Sequence, residues 1–150
     1  MLSSADTAIH RQVEAARAAA EPRVIGRLES GWAVLGERQF LPGYALLLPD
    51  PVVPSLNALD APGRARFLLD LARLGDAVLA VTGALRINYA MLGNLEPALH
   101  AHVIPRYAEE PEALRTAHPW AYDWQAGAPF DPLVHGELLA QLRQALTRAG

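Results

Sequence analysis

Two histidines set two residues apart, His100 and His102 in the run Leu-His-Ala-His-Val-Ile, are the residues of this chain best suited to chemistry. In an extended segment successive side chains point to opposite faces, so both imidazoles look the same way, about 6–7 Å apart along the strand. Ala98 shares that face, and Leu99, Ala101 and Val103 point into the core. Three readings of such a pair compete. It can be two satisfied histidines on a half-buried strand. It can be a metal site, since neutral imidazole suits zinc and similar ions, with Glu96 or a partner chain completing it. It can be a catalytic pair, one ring acting as nucleophile or base and the other as acid or phosphate donor.

The neighbouring residues weight these readings. The stretch from Arg86 to Tyr107 reads RINYAMLGNLEPALHAHVIPRY. It resembles the histidine triad family, whose motif is His-x-His-x-His followed by two apolar residues and often Pro-Arg. The match runs from Asn88 through Gly93-Asn94, Pro97, Leu99, His100, Ala101 and His102 to Val103-Ile104-Pro105-Arg106. Aligned on the Pro-Arg end, His100 falls on the middle histidine and His102 on the third, while Ala98 stands where the first is usual. The resemblance extends to Phe40-Leu41-Pro42-Gly43-Tyr44 before an apolar strand, with Val52 where many relatives carry a further histidine.

The resemblance implies that His100 attacks the α-phosphorus of a nucleotide, giving a nucleotidyl-imidazole that water cleaves, and that His102 donates to a phosphate oxygen or the leaving group. It implies substrates such as dinucleoside polyphosphates or nucleoside phosphoramidates, a homodimer, and no cofactor. A nucleotide-binding module with little turnover is the alternative that Ala98 raises, and a two-histidine metal site is the second. An imidazole attacks only with a free nitrogen, so a backbone carbonyl accepting from the other nitrogen would hold the required tautomer. Alanine at position 98 is expected to leave a gap beside His100, so that the nucleophile is less well held and Ala98→His speeds turnover.

Asn88 and Asn94 are amide donors suited to phosphate oxygens. The alternatives are a capped Gly93-Asn94 turn and a strand-end amide at Asn88. Arg106 reads as a solvated or ion-paired strand-end side chain, and His10, His118 and His135 have no partners in the sequence. Trp120, Tyr122 and Trp124 could stack on a base or close the site from a partner subunit, but read first as packing for a long loop.

Hydrophobic residues at 51% and charged residues at 19% over 150 residues suit one soluble domain spanning residues 1–150. No cysteine is present, so a thiolate metal site is excluded and a reducing cytoplasm fits. A net charge of −3 argues against nucleic-acid polymers as partners. No signal peptide is read at the N-terminus, and no apolar run is long enough to span a membrane.

The pair must be positioned by what surrounds it. An N-terminal helix over 5–20 with Asp6 as its cap precedes a hairpin of strands 23–28 and 32–35. An unbroken apolar strand at 43–48, buried on both faces, follows. Asp60 and Pro62 open a long amphipathic helix reaching about Ala80, and strands 87–92 and 99–104 flank the Gly-Asn turn. Asp131-Pro132 starts a last helix. The fold class is α+β: a five-stranded antiparallel meander sheet, helices on one side, with one long packing helix plus N- and C-terminal helices.

Overall fold

The computed structural model describes residues 7–148. Helix α1 spans Ala8–Arg17, and the Thr7 hydroxyl accepts from the His10 amide at 3.3 Å, one of the free N–H groups of a first turn. The cap expected at Asp6 lies outside the described residues. Ile9, Val13 and Ala16 are buried, the stripe their spacing predicts. Strands β1 (Val24–Arg27) and β2 (Gly31–Leu35) form the expected hairpin, and the two-residue β3 (Arg38–Gln39) follows. Strand β4 (Ala45–Pro49) is buried at all five positions, which its apolar run requires.

Helix α2 (Ala61–Thr82) begins where Asp60 Oδ1 accepts from the Gly63 amide at 2.8 Å. It ends at Gly83, whose φ of +67° is the left-handed conformation that closes helices and favours glycine. Asp70 on its buried side accepts from the Ser30 amide at 2.8 Å and the Ser30 hydroxyl at 2.6 Å, tying the hairpin turn to the helix. Strands β5 (Arg86–Ala90) and β6 (Ala101–Arg106) come next. Then follow the short α3 (Glu112–Arg115), the two-residue β7 (Ala128–Pro129) paired with β3, and α4 (Pro132–Arg148).

The five long strands form an antiparallel sheet in the order β1-β2-β4-β6-β5. The expected sheet is present, with one departure from a simple meander. After β4, α2 carries the chain past one strand position, β5 takes the edge, and β6 returns to fill the gap. Ten residues rather than a tight turn separate β5 from β6. Gly93, at φ +72°, bends the chain here, and the Ala98 amide bonds to Glu96 rather than to a sheet neighbour. The last strand therefore opens at Ala101, two residues later than the apolar pattern suggests, and His100 stands immediately before it.

Helices α2 and α4 cover one sheet face, where Phe67, Leu74, Leu47, Leu99, Val103 and Leu142 form one core. The opposite face carries Leu46, Leu48 and Ile104 and is covered by Ile9 and Val13 of α1. The helices are thus not all on one side, because the buried stripe of α1 supplies a second small core. Ala98 belongs to that second core and is 1% exposed. Its side chain packs in that core, and position 98 also borders the cleft beside His100, so a histidine there must displace core neighbours unless it turns into the cleft. Overpacking of this kind costs about 1–3 kcal/mol. Ala98→His is expected to lower the unfolding free energy by that amount in a urea titration, and an unchanged midpoint would show that the ring turns into the cleft or that the α1 side of the sheet yields without cost.

Candidate functional site

His100 and His102 do share a face, their ring centroids 5.1 Å apart at an interplanar angle of 77°. The His100 Nδ1–H donates to the backbone carbonyl of Ala98 at 2.8 Å. A carbonyl has no proton to give, so this bond places the ring proton on Nδ1 and leaves an unprotonated lone pair at Nε2. His102 is held from the other side. Its Nδ1 lies 2.7 Å from the Tyr44 hydroxyl. Burial pushes the Tyr44 phenol up, so it keeps its proton, and His102 Nδ1 is the hydroxyl's one hydrogen-bond partner among the described residues; donation to Nδ1 satisfies that buried proton and leaves the His102 proton on Nε2. The two rings carry complementary tautomers: an acceptor nitrogen at His100 and a donor nitrogen at His102.

Burial, and then the neighbouring His100, hold the His102 ring at about 4, well below 6.5. The burial comes from an aromatic wall. Trp120 and Trp124 each meet the His102 ring edge-on at 5.5 Å, and Tyr44 stacks on it at 5.9 Å. Trp124 in turn stacks on Phe40 at 4.1 Å. The tryptophans pack the long C-terminal loop down, as expected, and they also reach the site. Their spacing of four carries no sign of this, because the contact depends on where the loop folds back. Tyr44 was also missed; its place two residues before Leu46, which pairs with His102, puts it on the same face once the register is known.

Arg106 anchors that loop. It is buried and donates from Nε and Nη2 to the Glu110 carboxylate at 3.0–3.2 Å, from Nη1 to Ala117 O at 2.9 Å, and from Nη2 to Leu114 O at 2.8 Å. Glu110 also accepts from the Tyr107 amide and the Tyr122 hydroxyl, both at 2.6 Å. Burial alone would raise the Glu110 carboxyl, but these donors together hold it below its ordinary value. Asn88 pairs with Ile104 across the sheet and shares the face of His102, one step along β5 from Ala90. Its Oδ1 accepts from Arg106 Nη1 at 2.8 Å, leaving only its NH2 for a ligand. Asn94 is exposed in the loop beside Gly93.

Beside His100 lies a cleft of about 320 Å³ lined by Ser55, Leu56, Met91, Leu92 and Gly93. Its lining is mixed, with Ser55 and Asn57 beside Leu56, Met91 and Leu92. A metal fits less well. Glu96 accepts from the Ala8 amide at the start of α1, at 3.2 Å, and no group of three histidine or acidic residues among the described residues could hold an ion. The other histidines serve structure: His10 Nδ1 bonds Thr7, His118 Nδ1 accepts from the Trp120 amide, and His135 Nδ1 accepts from the Asp131 amide.

No protein-family model matches the chain, and no curated protein matches it. Solved structures do. A histidine triad protein from Marinobacter aquaeolei VT8 matches with a TM-score of 0.74 at 24% identity, over 90% of this chain and 96% of that one. A protein described as a histidine triad nucleotide-binding protein, from Sulfolobus tokodaii strain7, matches with a TM-score of 0.72 at 14% identity, over 92% of each chain. A zinc-bound histidine triad family protein from Mycobacterium smegmatis matches with a TM-score of 0.65 at 20% identity, over 89% of this chain and 91% of that one. This chain has the histidine triad fold.

The His102 environment makes a pH prediction. The unfolded ring takes its proton near 6.5 and the folded ring near 4, so the unfolded chain gains protons first as pH falls. The contribution of His102 to stability is therefore complete above about 6.5 and declines as pH falls toward 4. An NMR titration of the ring is expected to show His102 neutral down to about 4, whereas a midpoint near 6.5 would mean that the aromatic wall does not exclude water.

Proposed function

We propose that this chain is a single-domain, cytoplasmic nucleotide-binding protein. It hydrolyses or transfers at the α-phosphate of dinucleoside polyphosphates or nucleoside phosphoramidates. The observation that carries the reading is the bond from His100 Nδ1–H to the Ala98 carbonyl, which leaves Nε2 as a nucleophile. In the first step His100 Nε2 bonds to the α-phosphorus and the bond to the leaving group breaks, the electron pair departing with that group. The imidazole becomes cationic, and the Ala98 carbonyl is placed to stabilise its Nδ1–H. Water then attacks phosphorus, loses its proton to solvent, and returns the electron pair to Nε2. Splitting the displacement avoids forcing water directly onto the substrate. His102, a neutral Nε2–H donor, supplies a hydrogen bond to a phosphate oxygen or a proton to a basic leaving group.

Asn88 and Asn94 are assigned to holding substrate, Asn88 through the NH2 that Arg106 leaves available. The absence of an imidazole at position 98 does not by itself remove activity, since its carbonyl does the positioning. A binding module with little turnover is the second reading, favoured by the tryptophan wall that narrows access to His102. The metal reading is not favoured, because Glu96 is already committed to α1. We further propose a homodimer, which the exposed edge strand β5 with Tyr89 and the exposed Leu68 and Leu69 of α2 can accommodate. Partners are otherwise small nucleotides. No helix among the described residues is long and apolar enough to cross a membrane.

His100→Ala is expected to abolish covalent labelling by a radiolabelled nucleoside phosphoramidate while adenosine monophosphate still binds. His102→Ala is expected to slow turnover by roughly 10²–10⁴-fold, most for basic leaving groups. Wild-type turnover by His100→Ala would remove the nucleophile assignment.

A further inference from the structure

Tyr44 is held more firmly than packing of its ring alone requires. The ring lies over Gly36, where a Cβ would collide with it, so only glycine admits it there. Phe40 and Trp124 meet it edge-on at 5.2 and 5.0 Å. The Tyr44 carbonyl accepts from the Gly36 amide at 2.8 Å and from Gln39 Nε2 at 2.9 Å, and its amide donates to Leu41 O at 3.0 Å. Backbone and ring are both fixed, which fixes where the hydroxyl points. Tyr107 and Tyr122 give their hydroxyl protons to oxygen, at Pro42 O and at the Glu110 carboxylate. Among the tyrosines of the described residues, Tyr44 is the one whose hydroxyl meets an imidazole.

That bond leaves His102 one free group, the Nε2–H, which no described residue accepts. A neutral ring that gives this proton away becomes an imidazolate unless Nδ1 gains a proton at the same moment. Burial holds the ring at about 4, so near neutral pH it carries no spare proton of its own. The proton bonded to Nδ1 is that of Tyr44, its oxygen 2.7 Å away. A proton given by His102 must therefore be replaced through the ring. Burial opposes a phenolate at Tyr44, while Arg23 acts the other way and favours it. So weak an acid suits a strongly basic leaving group and does nothing for one that departs as a stable anion.

We propose that Tyr44 is a positioning residue that passes its proton through His102 to a basic leaving group. This rests on the α-phosphate reading given above. In the step concerned, the His100 Nε2–P bond forms and the bond from phosphorus to the leaving atom breaks, its electron pair staying with that atom. The pair takes the proton from His102 Nε2 while His102 Nδ1 takes the proton from Tyr44. The His102 ring ends neutral, protonated at Nδ1, and the negative charge rests on the phenolate oxygen. When water later cleaves the intermediate it loses one proton to solvent. His102 takes one from solvent at Nε2 as Nδ1 returns its own to Tyr44, and the starting state is restored.

The test uses the full chain and two substrates that give the same nucleotidyl-histidine. One is an adenosine phosphoramidate of an alkylamine, whose nitrogen must be protonated to leave. The other is the p-nitrophenyl ester of adenosine monophosphate, whose anion leaves unaided. Single-turnover release rates are compared between the wild type and Tyr44→Phe. The ratio of amine release to nitrophenolate release is expected to fall roughly 10²-fold in the variant, the scale of a lost acid. A purely structural role would lower both rates together and leave the ratio unchanged. Incorporation of 3-fluorotyrosine at position 44 keeps the hydroxyl but makes it more acidic, and is expected to raise the ratio about threefold. If Tyr44→Phe does not fold, the fluorotyrosine protein decides. An unchanged ratio in either folded variant overturns the proposal while the nucleotidyl-histidine reading survives. A wild type that releases neither leaving group removes that reading and the relay together.

Discussion

Arg106 gives N–H bonds from all three of its guanidinium nitrogens to acceptors on β5 and in the segment that follows β6, and the geometry around His102 depends on that commitment. A buried guanidinium without partners would be expensive, so the chain after β6 must curl back to supply Glu110 and the carbonyls of Leu114 and Ala117. The curl fixes where the next residues go. Tyr122 is drawn in by Glu110, Trp124 Nε1 donates to Pro119 O at 3.0 Å, and both indoles arrive on the His102 ring. One ion pair at the end of a strand therefore helps to bury the imidazole four residues earlier in that strand.

That burial matters because it sets the state of the His102 ring. Largely covered, His102 stays neutral and a single Tyr44 hydroxyl decides which nitrogen carries its proton. His100 is governed by one carbonyl. That carbonyl belongs to the backbone of position 98, and any residue there supplies one. Alanine can therefore stand where a histidine is usual in the motif without the His100 ring losing its orientation. The side chain at that position serves the core under α1 instead.

Much of this could be read from local pattern. The i, i+2 spacing of His100 and His102 gave their common face, the unbroken run at β4 gave its double burial, and Asp60 with Gly83 bracketed α2. The assignments that failed are those in which distant parts of the chain meet. Periodicity shows that α1 has an apolar stripe but not which sheet face receives it. The swapped order of β5 and β6 follows from the path of α2 over the sheet, which no strand's own sequence records. The tryptophans read as loop packing because their contact with His102 runs through Arg106, a residue the sequence marks only as a strand end. The loop at 91–100 read as a tight turn because Gly-Asn is a common turn pair, and the longer excursion around it went unseen.

The complementary proton placement is the centre of this account, and long-range nitrogen–proton NMR of the uniformly ¹⁵N-labelled protein at neutral pH reads it directly. The predicted spectrum shows His100 protonated at Nδ1 with Nε2 unprotonated, and His102 protonated at Nε2 with Nδ1 accepting. A His100 ring protonated at Nε2 would leave no lone pair there and would contradict the proposed nucleophile.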